Sequence, residues 1–161
     1  MIKLIGYWAD CKDPEFWDDP NYNSQYPDPR KLVDPDWWEN KDKDKVKNYL
    51  INGNECNHMR GYSNCRICGI ILGSFERTDG EWLWPDRLEH YLDHDVRLPE
   101  EFITHIDTNN LPPKIEINQI LPFDETFWTT WGKNNNALFK PNVRPYNELL
   151  QEELMKRRGM K

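Results

Sequence analysis

The chain has 161 residues, which fits a single domain, and it contains no apolar run of roughly 18 residues that could span a membrane. Its 28 acidic and 21 basic side chains give a formal net charge of −7, which disfavours generic nucleic-acid binding, because that function normally needs a basic surface. The N-terminal apolar run is too short for a secretory signal and the four cysteines suit a reducing compartment, so we expect a cytoplasmic protein.

The first third of the chain predicts an irregular, tryptophan-rich segment. Turn-forming pairs that end in proline recur at positions 13–14, 19–20, 26–27 and 34–35 and leave no room for long regular elements. Disordered segments are usually poor in aromatic residues, so the tryptophans here favour an ordered chain. We expect residues 1–55 to form an acidic wrap over the rest of the domain.

A short helix is predicted near the end of this wrap, at about Asp42 to Ile51. Val46, Tyr49 and Leu50 fall at the i, i+3 and i+4 spacing of one helical face. Gly53 then predicts the end of the helix.

Eight tryptophans are a second strong signal in the composition. Large aromatic side chains dominate the energetics of protein cores, so we expect most of them to be buried. Tryptophan is also over-represented at protein interfaces, and adjacent tryptophans cannot both face inward on a simple element. The predicted partner-binding residues are Trp37, Trp38, Trp128 and Trp131.

A C-x2-C-x21-H-x3-H pattern is the most informative motif. Cys65 and Cys68 frame a turn, and Gly69 after it permits the unusual backbone angles that such a turn needs. His90 and His94 lie four residues apart on a predicted helix and so share a face. Two thiolates and two imidazoles are the ligand set of a closed, tetrahedral structural zinc site. We therefore predict one structural Zn²⁺ bound by these four side chains.

The segment between the two ligand pairs predicts a β-hairpin. Two β-like runs, residues 70–77 and 81–84, flank a turn at 78–80 whose Asp-Gly pair is a strong signal for a two-residue loop. That register places Arg77 opposite Trp82 on the neighbouring strand.

A helix is predicted next, because Pro85 suits the first helical turn, and it should end near His94. Its apolar stripe consists of Leu88, Tyr91 and Leu92. The remaining arc, which we expect to face water, carries Asp86, Glu89 and Asp93.

The order of cysteine turn, hairpin and helix resembles the ββα unit of two-cysteine, two-histidine zinc fingers over residues 65–94. The resemblance implies zinc ligation by the four named side chains. The chain departs from the finger pattern in its 21-residue spacing, where fingers have about 12, and in Arg87, which stands where fingers carry an apolar residue. DNA reading is therefore not implied. The segment from Gly61 to Phe102 is also similar to uncharacterised small bacterial proteins, and that likeness implies no activity.

Other uses of these residues remain open from the sequence. The C-x2-C pair could be a redox pair, although such pairs usually open a helix. A more local metal quartet is Cys56, His58, Cys65 and Cys68, but a one-residue gap between its first two members strains a shared tetrahedron. Cys11 is expected to be a spare thiol.

The remaining elements are short. Pro99 is expected to begin a turn or helix, residues 114–121 predict a strand from alternating isoleucines, and residues 125–131 predict a short helix. Residues 145–158 predict a terminal helix with a basic end that suits the helix dipole. Together, these elements predict a small α+β domain with three parts: residues 1–55, the zinc module at 56–107, and residues 108–161.

These patterns favour a non-catalytic protein that binds another protein, as an adaptor or inhibitor, through an acidic and aromatic surface. No common catalytic motif is present, no catalytic residue is predicted, and a closed zinc site leaves no position for a reacting water. One alternative is a nucleic-acid binder that uses Arg60, Arg66 and Arg77, or the basic tail. The second is a metal-dependent hydrolase or nuclease that uses Asp93 or Asp95.

Overall fold

A five-stranded mixed sheet forms the centre of the domain. The computed structural model describes residues 1–12, 25–141 and 146–159. The strands are β1 (Ile2–Leu4), β2 (Asn54–Cys56), β3 (Glu76–Thr78), β4 (Trp82–Pro85) and β5 (Phe123–Asp124). Their order across the sheet is β2-β3-β4-β1-β5, with β2, β3 and β4 antiparallel and β1 parallel to both of its neighbours.

Within these described ranges, five α-helices and two 3₁₀ helices accompany the sheet. The α-helices are α1 (Pro35–Trp38), α2 (Lys43–Ile51), α3 (Glu100–Asn109), α4 (Thr126–Asn134) and α5 (Tyr146–Arg157). The 3₁₀ helices are Pro29–Leu32 and Leu88–His94, and the second is called the histidine helix below. The α+β class predicted from the sequence is therefore confirmed.

Helix α2 forms where the sequence predicts it. The Asp42 carboxylate accepts a hydrogen bond from the backbone N–H of Lys45, which caps the first turn. Val46, Tyr49 and Leu50 are buried, as their spacing on one helical face requires.

The N-terminal segment is more than a wrap. Strand β1 lies inside the sheet, where Lys3 pairs with Trp82 of β4 and with Asp124 of β5. Leu4 and Ile5 are almost completely buried in the core. The description of residues 1–55 as an irregular outer segment is thus corrected, because these first apolar residues complete the sheet.

The predicted hairpin exists, but its register differs from the prediction. Arg77 pairs with Trp84, not with Trp82, and only residues 76–78 of the first predicted run form a strand. The loop is longer than two residues because the Asp79 carboxylate accepts hydrogen bonds from the backbone N–H groups of Glu81 and Trp82. Side-chain bonding to the backbone of this kind competes with the tight turn that the Asp-Gly pair favours.

The strand predicted at residues 114–121 is also corrected, because the structure assigns no strand to that range. Side chains of the neighbouring β2 region hold this segment in place of a backbone ladder. The Asn54 amide donates to the carbonyl of Pro113 and accepts from the N–H of Ile115. The Asn57 amide oxygen accepts from the N–H of Leu121.

Most tryptophans among the described residues belong to the core. Trp84 and Trp128 are fully buried, and three more are at most 8% exposed: Trp8, Trp38 and Trp82. Trp37 and Trp131 are half-buried, whereas Trp17 lies outside the described residues.

A buried carboxylate ties the hairpin loop to two helices. Besides its two backbone partners, Asp79 accepts a hydrogen bond from the Tyr49 hydroxyl of α2 at 2.6 Å. It also lies 2.7 Å from Nε2 of His105 on α3. A buried acceptor with this many donors stabilises the fold, because its removal leaves each donor unpaired.

We therefore expect Asp79→Ala to lower the free energy of unfolding by about 3 kcal/mol, since several buried donors lose their acceptor. The matched control is Asp107→Ala, which removes an exposed carboxylate that forms an ion pair with Lys45, and it should cost less than about 1 kcal/mol. Urea unfolding of both variants measures the difference. Equal unfolding midpoints would contradict the role of Asp79.

Candidate metal centre

The cysteine turn forms half of the site. The Gly69 N–H donates to the carbonyl of Cys65, and the Cys65 N–H donates to the carbonyl of Ile70. Gly69 has a φ of +79°, which a side chain would strain. The Ile67 N–H points at the sulfur of Cys65 at 3.4 Å. These contacts shape the turn, in which the sulfurs of Cys65 and Cys68 lie within 4.8 Å of each other.

The histidine helix forms the other half, and it is a 3₁₀ helix where the sequence predicts an α-helix. Arg87 before it and Asp95 after it both adopt left-handed backbone angles, which confine it to seven residues. Pro85 lies in strand β4 and does not open the helix. The burial of the predicted stripe is nevertheless confirmed for Leu88, Tyr91 and Leu92.

The structure brings all four predicted ligands together. One ligand atom from each of Cys65, Cys68, His90 and His94 lies within 4.8 Å of the other three. The sulfur of Cys68 is 3.3 Å from Nε2 of His90. Tetrahedral coordination with ordinary metal–sulfur and metal–nitrogen bonds places ligand atoms roughly 3.3–3.8 Å apart. Small side-chain adjustments would therefore close the cluster around one ion.

The chemistry of the donor atoms fits a metal ion as well. Nε2 of His94 is buried and has no hydrogen-bond partner, a costly arrangement that coordination would satisfy. Burial, with a contribution from His94, lowers the pKa of His90 and favours the neutral imidazole that a metal ligand must be. Cys65 is buried and Cys68 is exposed, so the site lies at the surface of the domain.

The rival quartet does not form. Cys56 is buried in strand β2, where burial, and next the charge of Glu76, raise the pKa of its thiol to about 11. The exposed His58 ring packs against Phe75 with ring centroids 5.1 Å apart. The spare thiol, Cys11, points its sulfur at the carbonyl of Ala9.

Two carboxylates at the end of the histidine helix pair with lysine side chains. Asp93 and Asp95 form ion pairs with Lys47 and Lys43 of α2. The hydrogen bond from Lys47 lowers the pKa of Asp93. Both carboxylates thus fasten the histidine helix to α2, which offers no support for the second metal site that a nuclease needs.

Two of the acidic residues expected to face water are placed differently. Asp86 is only 12% exposed and pairs with Arg77 at 2.9 Å. Glu89 is half-buried, and this burial raises the pKa of its carboxyl group. The prediction is therefore corrected for Asp86 and Glu89, whereas Asp93 is exposed as expected.

Most of the arginines predicted to contact nucleic acid in the alternative interpretation form hydrogen bonds within the protein. The Arg66 guanidinium donates to the carbonyls of Ala9 and Asn64. Arg77 pairs with Asp86 and donates to the carbonyl of Gly53. Of the three arginines, only Arg60 projects into solvent without such contacts.

The predicted partner-binding tryptophans divide into two classes. The Trp38 indole donates to the carbonyl of Val96 and the Trp128 indole to that of Tyr7, so both are fixed in the interior. These two side chains offer no surface to a partner, which corrects their assignment. Trp37 packs on Trp38, and Trp131 stacks on Trp128; a partner could reach these outer rings.

Comparison with known protein families, curated proteins and solved structures found no match to this chain. Among the described residues, none of the helices has the length and apolar content needed to cross a membrane. The geometry of the site is therefore the basis for assigning a function.

If the cluster holds a metal ion, Cys65→Ser should remove it and unfold the chain, because metal binding at such sites contributes directly to folding. Cys11→Ser is the control, since it removes a thiol outside the cluster. Elemental analysis and circular dichroism on heating report metal content and stability. Unchanged metal content and an unchanged melting curve for Cys65→Ser would contradict the assignment.

Proposed function

We propose that this chain is a zinc-stabilised module that binds another protein, as an adaptor or inhibitor, through an acidic and aromatic surface. The observation that carries the proposal is the convergence of two thiols and two imidazoles within 4.8 Å of one another. Four protein ligands complete a tetrahedron and leave no position for substrate or water, so the ion has a structural role.

Zinc is the metal that this donor set suits best. Thiolate and imidazole ligands in tetrahedral geometry favour zinc over calcium or magnesium, which prefer oxygen ligands. Thiolate ligands also need a reducing environment, so we propose a cytoplasmic location.

The surface that supports protein binding is centred on Trp37. It comprises Asp36, Trp37, Glu39, Lys41 and Glu100, and is called the Trp37 surface below. The ammonium of Lys41 lies 3.8 Å from the centroid of the Trp37 ring and pairs with Glu100 at 3.1 Å. These contacts hold the ring, which stays half-exposed, beside exposed carboxylates.

A fixed, half-exposed tryptophan is the type of residue that anchors protein interfaces. Three carboxylates and one ammonium group make the Trp37 surface acidic, which favours a partner with a basic patch. The net charge of the whole chain, −7, has the same sign. Trp131 has a different setting, because its ring faces the guanidinium of Arg97, and its role in partner binding stays a prediction.

We expect Trp37→Ala to weaken partner binding about tenfold or more, because truncating an interface anchor removes most of its contact area. Trp131→Ala is the matched comparison, since each tryptophan packs on a buried tryptophan. The zinc-loaded protein and both variants are cross-linked in extract of the native host, and the partner is measured by quantitative mass spectrometry.

Loss of one cross-linked protein in Trp37→Ala is the expected result, and its loss in Trp131→Ala as well would extend the interface to that ring. Recovery of every cross-linked protein with Trp37→Ala at the level of the unmodified protein would contradict the Trp37 surface. Thermal unfolding of both variants checks that neither substitution disrupts the fold.

A further inference from the structure

A cavity of about 340 Å³ lies beside the metal centre and contains none of the four ligands. Its volume is in the range of about 300–1,000 Å³ that small-ligand sites occupy. It lies between the residues that follow β1, the chain entering the cysteine turn, and the start of the histidine helix. Its aromatic lining consists of Tyr7, Trp8, Tyr62, Phe75 and Tyr91.

A buried carboxylate, Glu76 of β3, also lines this cavity. The residue is only 4% exposed, its Oε2 accepts a hydrogen bond from the Asn57 amide at 3.1 Å, and its side chain also interacts with the hydroxyl of Tyr7. No described basic side chain forms an ion pair with it. A buried carboxylate without a counter-charge is unfavourable, so a cationic ligand group would gain affinity by supplying one.

The surroundings of Glu76 fit a cation in two further respects. Aromatic faces attract ammonium and guanidinium groups, and rings line this cavity on several sides. Burial is the main cause of the raised pKa of Tyr7, and the charge of Glu76 raises that pKa further. Glu76 therefore lies close to the aromatic side chain of Tyr7.

Two exposed arginines, Arg60 and Arg87, also line the cavity. Neither forms an ion pair with any described residue. By contrast, the lysines of the nearby helix α2 and its flank are paired with carboxylates, as at Lys43 and Lys47. Two unpaired guanidinium groups favour an anionic ligand group, and a carboxylate suits their fork-shaped donors.

We propose that the cavity binds a basic amino acid with a free α-carboxylate, either as the C-terminal lysine or arginine of a protein or as the free amino acid. The side-chain cation pairs with Glu76 between the aromatic rings. The α-carboxylate pairs with Arg60 and Arg87. Only the protein source of this ligand rests on the proposed function, and the cavity shares no residue with the Trp37 surface.

The test is calorimetric titration of the zinc-loaded protein with acetyl-Gly-Gly-Arg. Matched ligands are the same peptide with a C-terminal amide, the peptide with norleucine in place of arginine, and free arginine. We expect the amide and norleucine peptides to bind about tenfold more weakly or worse, because each lacks one charged contact. Tighter binding of acetyl-Gly-Gly-Arg than of free arginine identifies a protein C-terminus as the source, and the reverse identifies the amino acid.

Two variants test the assigned contacts. Glu76→Gln keeps an acceptor for Asn57 but removes the charge, and Arg60→Gln removes one exposed guanidinium; each should weaken binding about tenfold. Glu116→Gln and Arg158→Gln make the same charge changes at exposed positions outside the cavity and should leave affinity unchanged. If Glu76→Gln fails to fold, the affinities of Arg60→Gln and of the amide peptide still test whether the cavity binds an α-carboxylate.

No binding of either arginine ligand at millimolar concentration would overturn the proposal, as would equal affinities for the acid, amide and norleucine peptides. If the cavity binds no arginine ligand but cross-linking of a partner still depends on Trp37, the cavity proposal fails and the proposed function stands. If the arginine peptide binds in a way that requires Glu76 but no partner depends on Trp37, the proposed function fails and the cavity proposal stands.

Discussion

The convergence of two sulfurs and two imidazole nitrogens on one point is the constraint on which the rest of this region depends. The cysteine turn contributes no strand to the central sheet, and the histidine helix has only seven residues. Neither segment could hold its conformation through backbone hydrogen bonding alone. A single ion would join them and offset the entropy lost in ordering both segments.

The histidine helix transmits this constraint to the core. Its leucines are buried, and Asp93 and Asp95 join it to α2 through ion pairs. Tyr91 links it back to the cysteine turn, because its hydroxyl accepts a hydrogen bond from the N–H of Arg66. The Tyr91 ring also contacts Trp8, with centroids 5.2 Å apart. The metal centre and the neighbouring cavity are therefore parts of one packed unit.

The sequence predicts features that depend on local chemistry. The Asp42 cap and the spacing of Val46, Tyr49 and Leu50 specify α2, and the four candidate ligands follow from residue type and spacing. The hairpin register could not be predicted, because Asp79 is held by Tyr49 and His105, which are distant in sequence.

Features that depend on contacts between distant segments were missed for the same reason. Side chains of Asn54 and Asn57 hold the segment in which isoleucine spacing suggests a strand. The cavity was not predicted at all. Its one signal in the sequence is Glu76, an acidic residue in a strand whose partner β4 is almost entirely apolar, and its burial becomes evident only in the folded chain.

Zinc K-edge X-ray absorption on protein purified without added metal reports directly on the ligands of the ion. We expect one zinc per chain, with two sulfur ligands at about 2.3 Å and two nitrogen ligands at about 2.0–2.1 Å. Absence of zinc, or a coordination shell that includes oxygen from water, would contradict a closed structural site.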